Sequence, residues 1–204
     1  MAARDPVARR RQLVQAAFDV LVERGVGDTR IVDIDRRAGV AASLVSYYFP
    51  NKDDLLLEAT RSGIDRFFTD RAAALARIED PLDRLEHAIR WALPEGHRDG
   101  DWIMLLQFWT RAIYRPSLQT VAAMFQTRAR GMYVSLVESG TASGRFRPVS
   151  SSEAIASTLI AAIEGLSIRI LLRDPALDVP PGMEALLIDY ARLAVGIERV
   201  EGAA

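Results

Sequence analysis

The first fifty residues contain three short segments with helical periodicity, and a glycine separates the second from the third. Asp5, followed by proline, is a typical helix start, and Gly25 is expected to end this first helix. A second helix is predicted over about 30–38 and a third over about 42–48. Gly39 between them allows the backbone to reverse with a positive φ. This spacing indicates a helix-turn-helix, in which the third helix protrudes into the DNA major groove.

The rest of the chain is also expected to be helical, since the alternation typical of strands is scarce. Further helices are predicted over about 51–75, 81–93, 101–114, 116–139, 152–172 and 183–199. The sequence therefore predicts an all-α protein with an N-terminal three-helix domain at 1–52 and a C-terminal domain of roughly six helices at 53–204. The fourth helix, 51–75, is expected to connect the two domains.

Composition narrows the chemistry that is available. The chain of 204 residues has no cysteine and two histidines, which argues against disulfides and metal sites. No nucleophile elbow or glycine-rich phosphate loop is found, so we expect neither an enzyme nor a cofactor. No signal peptide and no uncharged run of eighteen apolar residues is seen, so a cytoplasmic protein without a membrane contact is expected. Up to Lys52 the net charge is +3, against −4 for the remainder, which favours a polyanionic partner for the front segment.

The exact sequence of the front segment resembles a known family. Its most distinctive string is Tyr47-Tyr-Phe-Pro-Asn-Lys52, followed by Leu55 and Leu56. With Thr29-Arg-Ile-Val-Asp-Ile34 and Arg37-Ala-Gly-Val40, it is similar over residues 9–60 to the TetR family of bacterial repressors. The resemblance implies a homodimer with an N-terminal DNA-binding domain and a C-terminal domain for ligand sensing and dimerisation. Val45-Ser-Tyr-Tyr-Phe49 further resembles the BetI-like branch, whose namesake responds to choline.

The resemblance also implies which residues contact a double-stranded DNA operator. Thr29 and Arg30 are expected to bind phosphate. The exposed face of the third helix is expected to meet base edges, and a further group to hold the flanking phosphates. The first group is Ala42, Ser43, Leu44 and Tyr47, and the second is Ser46, Tyr48 and Lys52. The alternative for the two tyrosines is that they are packed aromatics.

Three residues depart from the family pattern. Ala41 stands where a capping serine is usual, and Ser46 replaces a tyrosine that is common in the wider family. Asp35 occupies a position that is normally a small buried alanine. Because an unpaired buried carboxylate is costly, Asp35 is expected to reach an arginine or solvent.

The last two long helices are apolar around much of their circumference, which predicts burial against a second copy of the chain. The alternative is that these faces only complete the core of a monomer. The residues expected in the dimer interface are Ile155, Leu159, Ile163, Leu166, Leu186, Tyr190, Leu193 and Ile197.

All three tryptophans fall within nineteen residues, together with other large apolar side chains. They are interpreted as lining a pocket for a small-molecule effector, apolar with a few polar groups. The candidates are Trp91, Trp102, Gln107, Phe108, Trp109, Arg111, Met124 and Glu164. With Glu164, an aromatic cage would suit a quaternary ammonium, although aromatics at helical spacing can equally form a core. The predicted function is a ligand-responsive repressor on a palindromic operator; a helical scaffold without DNA binding is the alternative.

Overall fold

The structure is a computed structural model that describes residues 5–41, 44–177 and 182–197. Every regular element in these ranges is helical, which confirms the all-α prediction. The helices are α1 (Pro6–Asp28), α2 (Ile31–Ala38), α3 (Leu44–Tyr48), α4 (Lys52–Leu75), α5 (Pro81–Ala92), α6 (Gly100–Ala112), α7 (Pro116–Ala142), α8 (Ser152–Leu171) and α9 (Met183–Ala194), with a short 3-10 helix at Pro175–Leu177.

Side-chain caps begin several of these helices where the sequence places them. Asp5 accepts a hydrogen bond from the backbone N–H of Val7 at 2.9 Å, and Asp80 accepts one from Leu82 at 2.8 Å. Ser151 caps α8. Each cap satisfies a backbone donor that has no partner within the helix, so these starts are fixed locally.

Glycines with positive φ interrupt or end two helices. At Gly25 the backbone of α1 leaves the helical conformation (φ 75°, ψ 169°), and the helix continues only to Asp28. Gly196 has a φ of 74°, and the N–H of Ile197 bonds to the carbonyl of Arg192. The helix predicted to reach residue 199 therefore ends at Ala194, because the left-handed glycine terminates it.

The chain forms two compact units. The first comprises the described residues up to Phe67 together with Gly100–Phe125, and the second comprises Phe68–Asp99 and the described residues from Gln126 onward. The first unit includes α6, which packs on α1. The predicted boundary at residue 52, between an N-terminal three-helix domain and a C-terminal domain, stays a prediction.

The core of the first unit lies between α1, α2, α3 and α4. Leu13, Ala17 and Leu21 of α1 pack there with Ile34 of α2 and Leu55 of α4. These side chains are almost fully buried and follow the helical periodicity of the sequence. They fix how α2 and α3 lie on α1.

Among the described residues of the second unit, one charged side chain is buried in the apolar core. Glu86 of α5 is buried, and Arg192 of α9 and Arg90 donate to its carboxylate at 2.6 and 3.1 Å. The phenol of Tyr133 donates to the carbonyl of Ala88, and burial raises the pKa of this phenol well above its usual value. The pair between Glu86 and Arg192 connects α5 to α9.

The structure corrects half of the predicted dimer interface. Ile155, Leu159, Ile163 and Leu166 of α8 are all buried within a single chain, so they are core residues. They cannot be covered by a second copy, because their own unit already covers them. The face that α8 leaves exposed is a different one.

Helix α8, Ser152–Leu171, is long and apolar enough to cross a membrane by length and composition alone. A helix in the core of a soluble protein can have the same length and composition, so this property alone does not indicate a membrane span. The burial of Leu159 and Ile163 in the second unit places one face of α8 in a protein core.

Candidate nucleic-acid interface and ligand site

The turn between α2 and α3 depends on Gly39. Its backbone is left-handed (φ 62°, ψ 38°), and its N–H bonds to the carbonyl of Arg36 at 3.1 Å. A Cβ at this position would meet no atom within 4 Å, so backbone conformation, rather than space, favours glycine here. The next N–H, of Val40, bonds to the carbonyl of Asp35.

Helix α3 has one face in the core and one in solvent. Val45 and Phe49 are buried, whereas Tyr47 is 82% exposed and Ser46 is also exposed. Tyr48 is half-buried against the core and meets Tyr47 edge to face at 5.2 Å. The packed-aromatic alternative therefore does not hold for Tyr47, whose ring projects outward.

Arg10 of α1 anchors α3, a role that the sequence analysis missed. Its guanidinium lies 4.2 Å from the ring centre of Phe49, donates to the carbonyl of Tyr48 at 2.9 Å and pairs with Glu58. Two adjacent residues at the end of α3 and one residue of α4 thus meet at this side chain. No spacing in the sequence links them, since the contacts span 38 to 48 residues.

The predicted phosphate ligands fall into two groups. Arg30 is exposed, but the side chain of Thr29 is 1% exposed and its hydroxyl donates to the carbonyl of Gly25 at 2.7 Å. The Thr29 side chain is thus turned inward, contrary to expectation. The ammonium of Lys52 donates to the carbonyl of Thr29 at 2.7 Å, which gives a lysine at the start of α4 a compensating partner. Of the residues predicted to contact base edges, Leu44 is half-buried, and Ala42 and Ser43 lie outside the described residues.

Ion pairs neutralise much of the positive charge of the front segment. Arg24 and Arg36 both pair with Asp33, at 2.8 and 3.2 Å, and Arg37 pairs with Glu23. Among the described residues Arg30 has no such pair. Arg30, just before α2, and Lys52, at the start of α4, are thus basic groups without a carboxylate partner among the described residues.

One of the two expectations for Asp35 was that its carboxylate reaches solvent, and the structure shows that it does not. It is 4% exposed, and its Oδ1 accepts a hydrogen bond from the backbone N–H of Val45 at 3.4 Å. A buried carboxylate from α2 thus meets the beginning of α3.

Two of the predicted ligand-site tryptophans lie in an aromatic cluster of the first unit. The rings of Trp102 and Trp109 are 6.2 Å apart, Trp109 and Phe125 are 6.1 Å apart, and Phe67 adjoins Phe125. The Nε1 of Trp109 is buried and has no hydrogen-bond partner among the described residues. Phe67 was missed, because it lies more than thirty residues from the nearest other member.

Other candidates from the first unit have different surroundings. Phe108 is buried in the core, and Met124 is half-buried. The amide of Gln107 lies directly against Gly25, and Arg111 lies beside Gly27. These two polar side chains of α6 therefore face the end of α1.

Trp91 and Glu164 belong to the second unit. The guanidinium of Arg71 lies 4.9 Å from the ring centre of Trp91 and donates to its carbonyl at 2.9 Å, and His87 meets the ring edge to face. A cation of the chain itself thus covers one face of Trp91. Glu164 is half-buried on α8 and accepts a hydrogen bond from Gln126 at 2.9 Å.

The second unit exposes apolar side chains at helical spacing. Leu186, Tyr190 and Leu193 of α9 are 41%, 43% and 54% exposed, and Ile197 is half-buried. The exposed face of α8 carries mainly small residues, followed by two large apolar ones: Ala154, Ser157, Ala161, Gly165, Ile168 and Leu172. We call these two sets together the α8–α9 face.

Comparison with known proteins gives matches along most of the chain. A family model described as bacterial regulatory proteins, tetR family, matches residues 13–59, and one described as BetI-type transcriptional repressor, C-terminal, matches residues 81–194. The HTH-type transcriptional regulator BetI 1 of Chromohalobacter salexigens is 31% identical over 193 residues, covering 89% of this chain and 88% of the relative.

Solved structures show the same fold. A transcriptional regulator from Saccharomonospora viridis, in complex with choline, has a TM-score of 0.78 and 28% identity, covering 95% of this chain and all of that one. The regulator FadR from Bacillus subtilis, in complex with stearoyl-CoA, has a TM-score of 0.60 at 17% identity, covering 93% and 99%. The second likeness concerns the fold alone.

Proposed function

The chain belongs to the TetR family, as a transcriptional regulator with a BetI-type C-terminal domain, and we propose that it is a homodimeric repressor. In this proposal the dimer binds a palindromic operator in the cytoplasm. A small molecule releases it by binding better to a conformation in which the two recognition helices are wrongly spaced. The relatives are regulators rather than enzymes.

The orientation of α3 is the observation that carries the DNA-binding proposal. Val45 and Phe49 hold one side of the helix in the core, and Tyr47 projects from the other side into solvent. An anchored short helix with an outward polar face is what major-groove reading requires. We assign base contacts to Leu44, Tyr47 and, outside the described residues, Ala42 and Ser43.

Phosphate contacts are assigned to Arg30, Ser46, Tyr48 and Lys52. An ammonium has three donors, so the bond from Lys52 to Thr29 leaves two for phosphate oxygens. The side chain of Thr29 is left out, because it is buried and donates to Gly25.

The homodimer is supported by the α8–α9 face. Large apolar residues on α9 and small residues on α8 would leave an exposed apolar surface on a monomer, and a second copy related by a two-fold axis would cover it. Small residues let two helices approach closely, and Leu186, Tyr190 and Leu193 supply apolar area. A two-fold dimer would present its two α3 helices to half-sites of a palindrome.

For the ligand we propose a quaternary ammonium compound such as choline. The relative from Saccharomonospora viridis holds choline, and aromatic faces bind such cations. We assign Trp102 and Trp109 of the aromatic cluster to this ligand. Glu164 belongs to the second unit, so it is not assigned to this cluster, and its part in ligand binding stays a prediction.

Selection of duplexes from random DNA by the purified protein tests the proposal. We expect enrichment of one palindrome, and then a titration with choline should reduce its occupancy. The neutral isostere 3,3-dimethyl-1-butanol is the matched control and should leave occupancy unchanged. If no duplex is enriched, the chain is a scaffold without specific DNA binding; if a duplex is enriched but the two compounds act alike, only the ammonium assignment fails.

A further inference from the structure

The start of the recognition helix α3 needs support from outside the helix. It has only five residues, too few for a helix to be stable by itself, so tertiary contacts must fix it. Its first N–H, of Leu44, bonds to the carbonyl of Ala41 at 3.2 Å, and the alanine side chain has no acceptor to add.

Asp35 of α2 reaches this point from the other side of the turn. Its carbonyl accepts the N–H of Val40 at 3.1 Å, immediately after Gly39, and its Oδ1 accepts the N–H of Val45 at 3.4 Å. Asp35 therefore bonds to the backbone just after Gly39, through Val40, and again in the first turn of α3, through Val45. Because Asp35 is 4% exposed, water does not compete for its carboxylate.

We infer that Asp35 is a positioning residue for DNA recognition. From α2 it accepts the N–H of Val45, the second residue of α3, as a capping side chain does, and thereby sets the direction in which Tyr47 projects. This inference rests on the proposed function in so far as α3 reads DNA.

Its acceptor atom, rather than its charge, does this. A negative charge on a protein opposes the approach of a polyanion, so the proposed role requires an acceptor at this position rather than a charge. Asp35→Asn has the same shape and keeps a carbonyl acceptor but is neutral, whereas Asp35→Ala removes the acceptor. The two variants separate positioning from electrostatics.

Asp33 offers a matched control on the same helix. It is 9% exposed and pairs with Arg24 and Arg36. Like Asp35→Ala, Asp33→Ala therefore removes a buried carboxylate that has partners. Among the described residues Asp33 makes no hydrogen bond to α3. General loss of stability would affect both variants, and loss of positioning would affect only Asp35→Ala.

Hydrogen exchange of the Val45 amide, followed by NMR in the DNA-free protein, is the first measurement. We expect exchange about tenfold faster in Asp35→Ala, which corresponds to the loss of one hydrogen bond of about 1.4 kcal/mol, and wild-type rates within about twofold in Asp33→Ala. Equal acceleration in both variants, or none in Asp35→Ala, overturns the inference. The inference is also overturned if exchange of the Val45 amide is faster in Ser43→Ala and in no other variant, because a residue next to α3 would then cap the helix.

DNA binding is the second measurement, with the duplex enriched by wild-type protein and a scrambled duplex of equal length. The ratio of the two affinities should fall about tenfold in Asp35→Ala and stay within about threefold of wild type in Asp35→Asn and Asp33→Ala. If Asp35→Asn behaves as Asp35→Ala, the role assigned to the acceptor is wrong. Asp35→Leu, similar in volume and without an acceptor, replaces the alanine variant if that does not fold. If no duplex is enriched, the proposed function fails, and the exchange result still decides this inference.

Discussion

The two units expose helices of opposite character. In the first, α3 is held by buried apolar residues and by polar ties from α1 and α2, and it presents Ser46 and Tyr47 to solvent. In the second, α9 is held by the ion pairs of Glu86 with Arg192 and presents Leu186 and Leu193. Polar groups thus anchor both helices, while their outward faces differ.

This difference indicates what each surface binds. A face with hydroxyl groups beside Arg30 and Lys52 offers hydrogen bonds and positive charge, which a DNA groove and its phosphates require. A face of Leu186, Tyr190 and Leu193 offers apolar area, which a second protein surface can cover. The chemical character of the exposed face of each helix therefore indicates the binding partner, and the burial of its opposite face does not.

The largest effect is expected from a charge on the α8–α9 face. Leu193→Arg would place a cation in the apolar contact, and we expect monomers and a loss of operator affinity of at least about a hundredfold. Sedimentation equilibrium and a binding titration measure the two effects. Ile113→Arg, at an exposed apolar residue of the first unit, is the control; if both variants remain dimeric, the interface lies elsewhere.

The next effect concerns the exposed face of α3. Tyr47→Ala should lower affinity for the enriched duplex about tenfold or more, because a base contact is typically worth 1–3 kcal/mol. Affinity for a scrambled duplex should change little. Fluorescence anisotropy with both duplexes measures this difference, and an equal loss on the two would contradict base reading by Tyr47.

The aromatic residues permit a comparison between the units themselves. Trp109→Phe should weaken choline binding about five- to tenfold, whereas Trp91→Phe should change it less than twofold, since Arg71 already covers a face of Trp91. Isothermal titration calorimetry gives both values. A larger loss in Trp91→Phe would assign the ligand to the second unit instead.

The smallest effect is expected at Lys52. Lys52→Ala should weaken binding to specific and scrambled duplexes alike by a few-fold and reduce the salt dependence of binding by about one unit of slope. Binding measured over a range of salt concentrations gives this slope. An unchanged slope would mean that Lys52 serves only its bond to Thr29.

Local sequence signals determined the helices and the turn. The caps at Asp5, Asp80 and Ser151 and the left-handed Gly39 each act within a few residues, so their effect can be inferred from spacing. The inward positions of Val45 and Phe49 likewise follow from periodicity. The outward face of α3, and with it the candidate DNA surface, was therefore predictable.

Only the tertiary structure decided which face of an all-round apolar helix is buried. On α8 the periodicity fits several faces, and packing in the second unit selected Ile155, Leu159, Ile163 and Leu166 for the core. The same holds for the bond between Asp35 and Val45 and for the cation of Arg71 on Trp91. These contacts join residues of different elements, and their partners depend on how helices pack, which spacing along one helix does not encode.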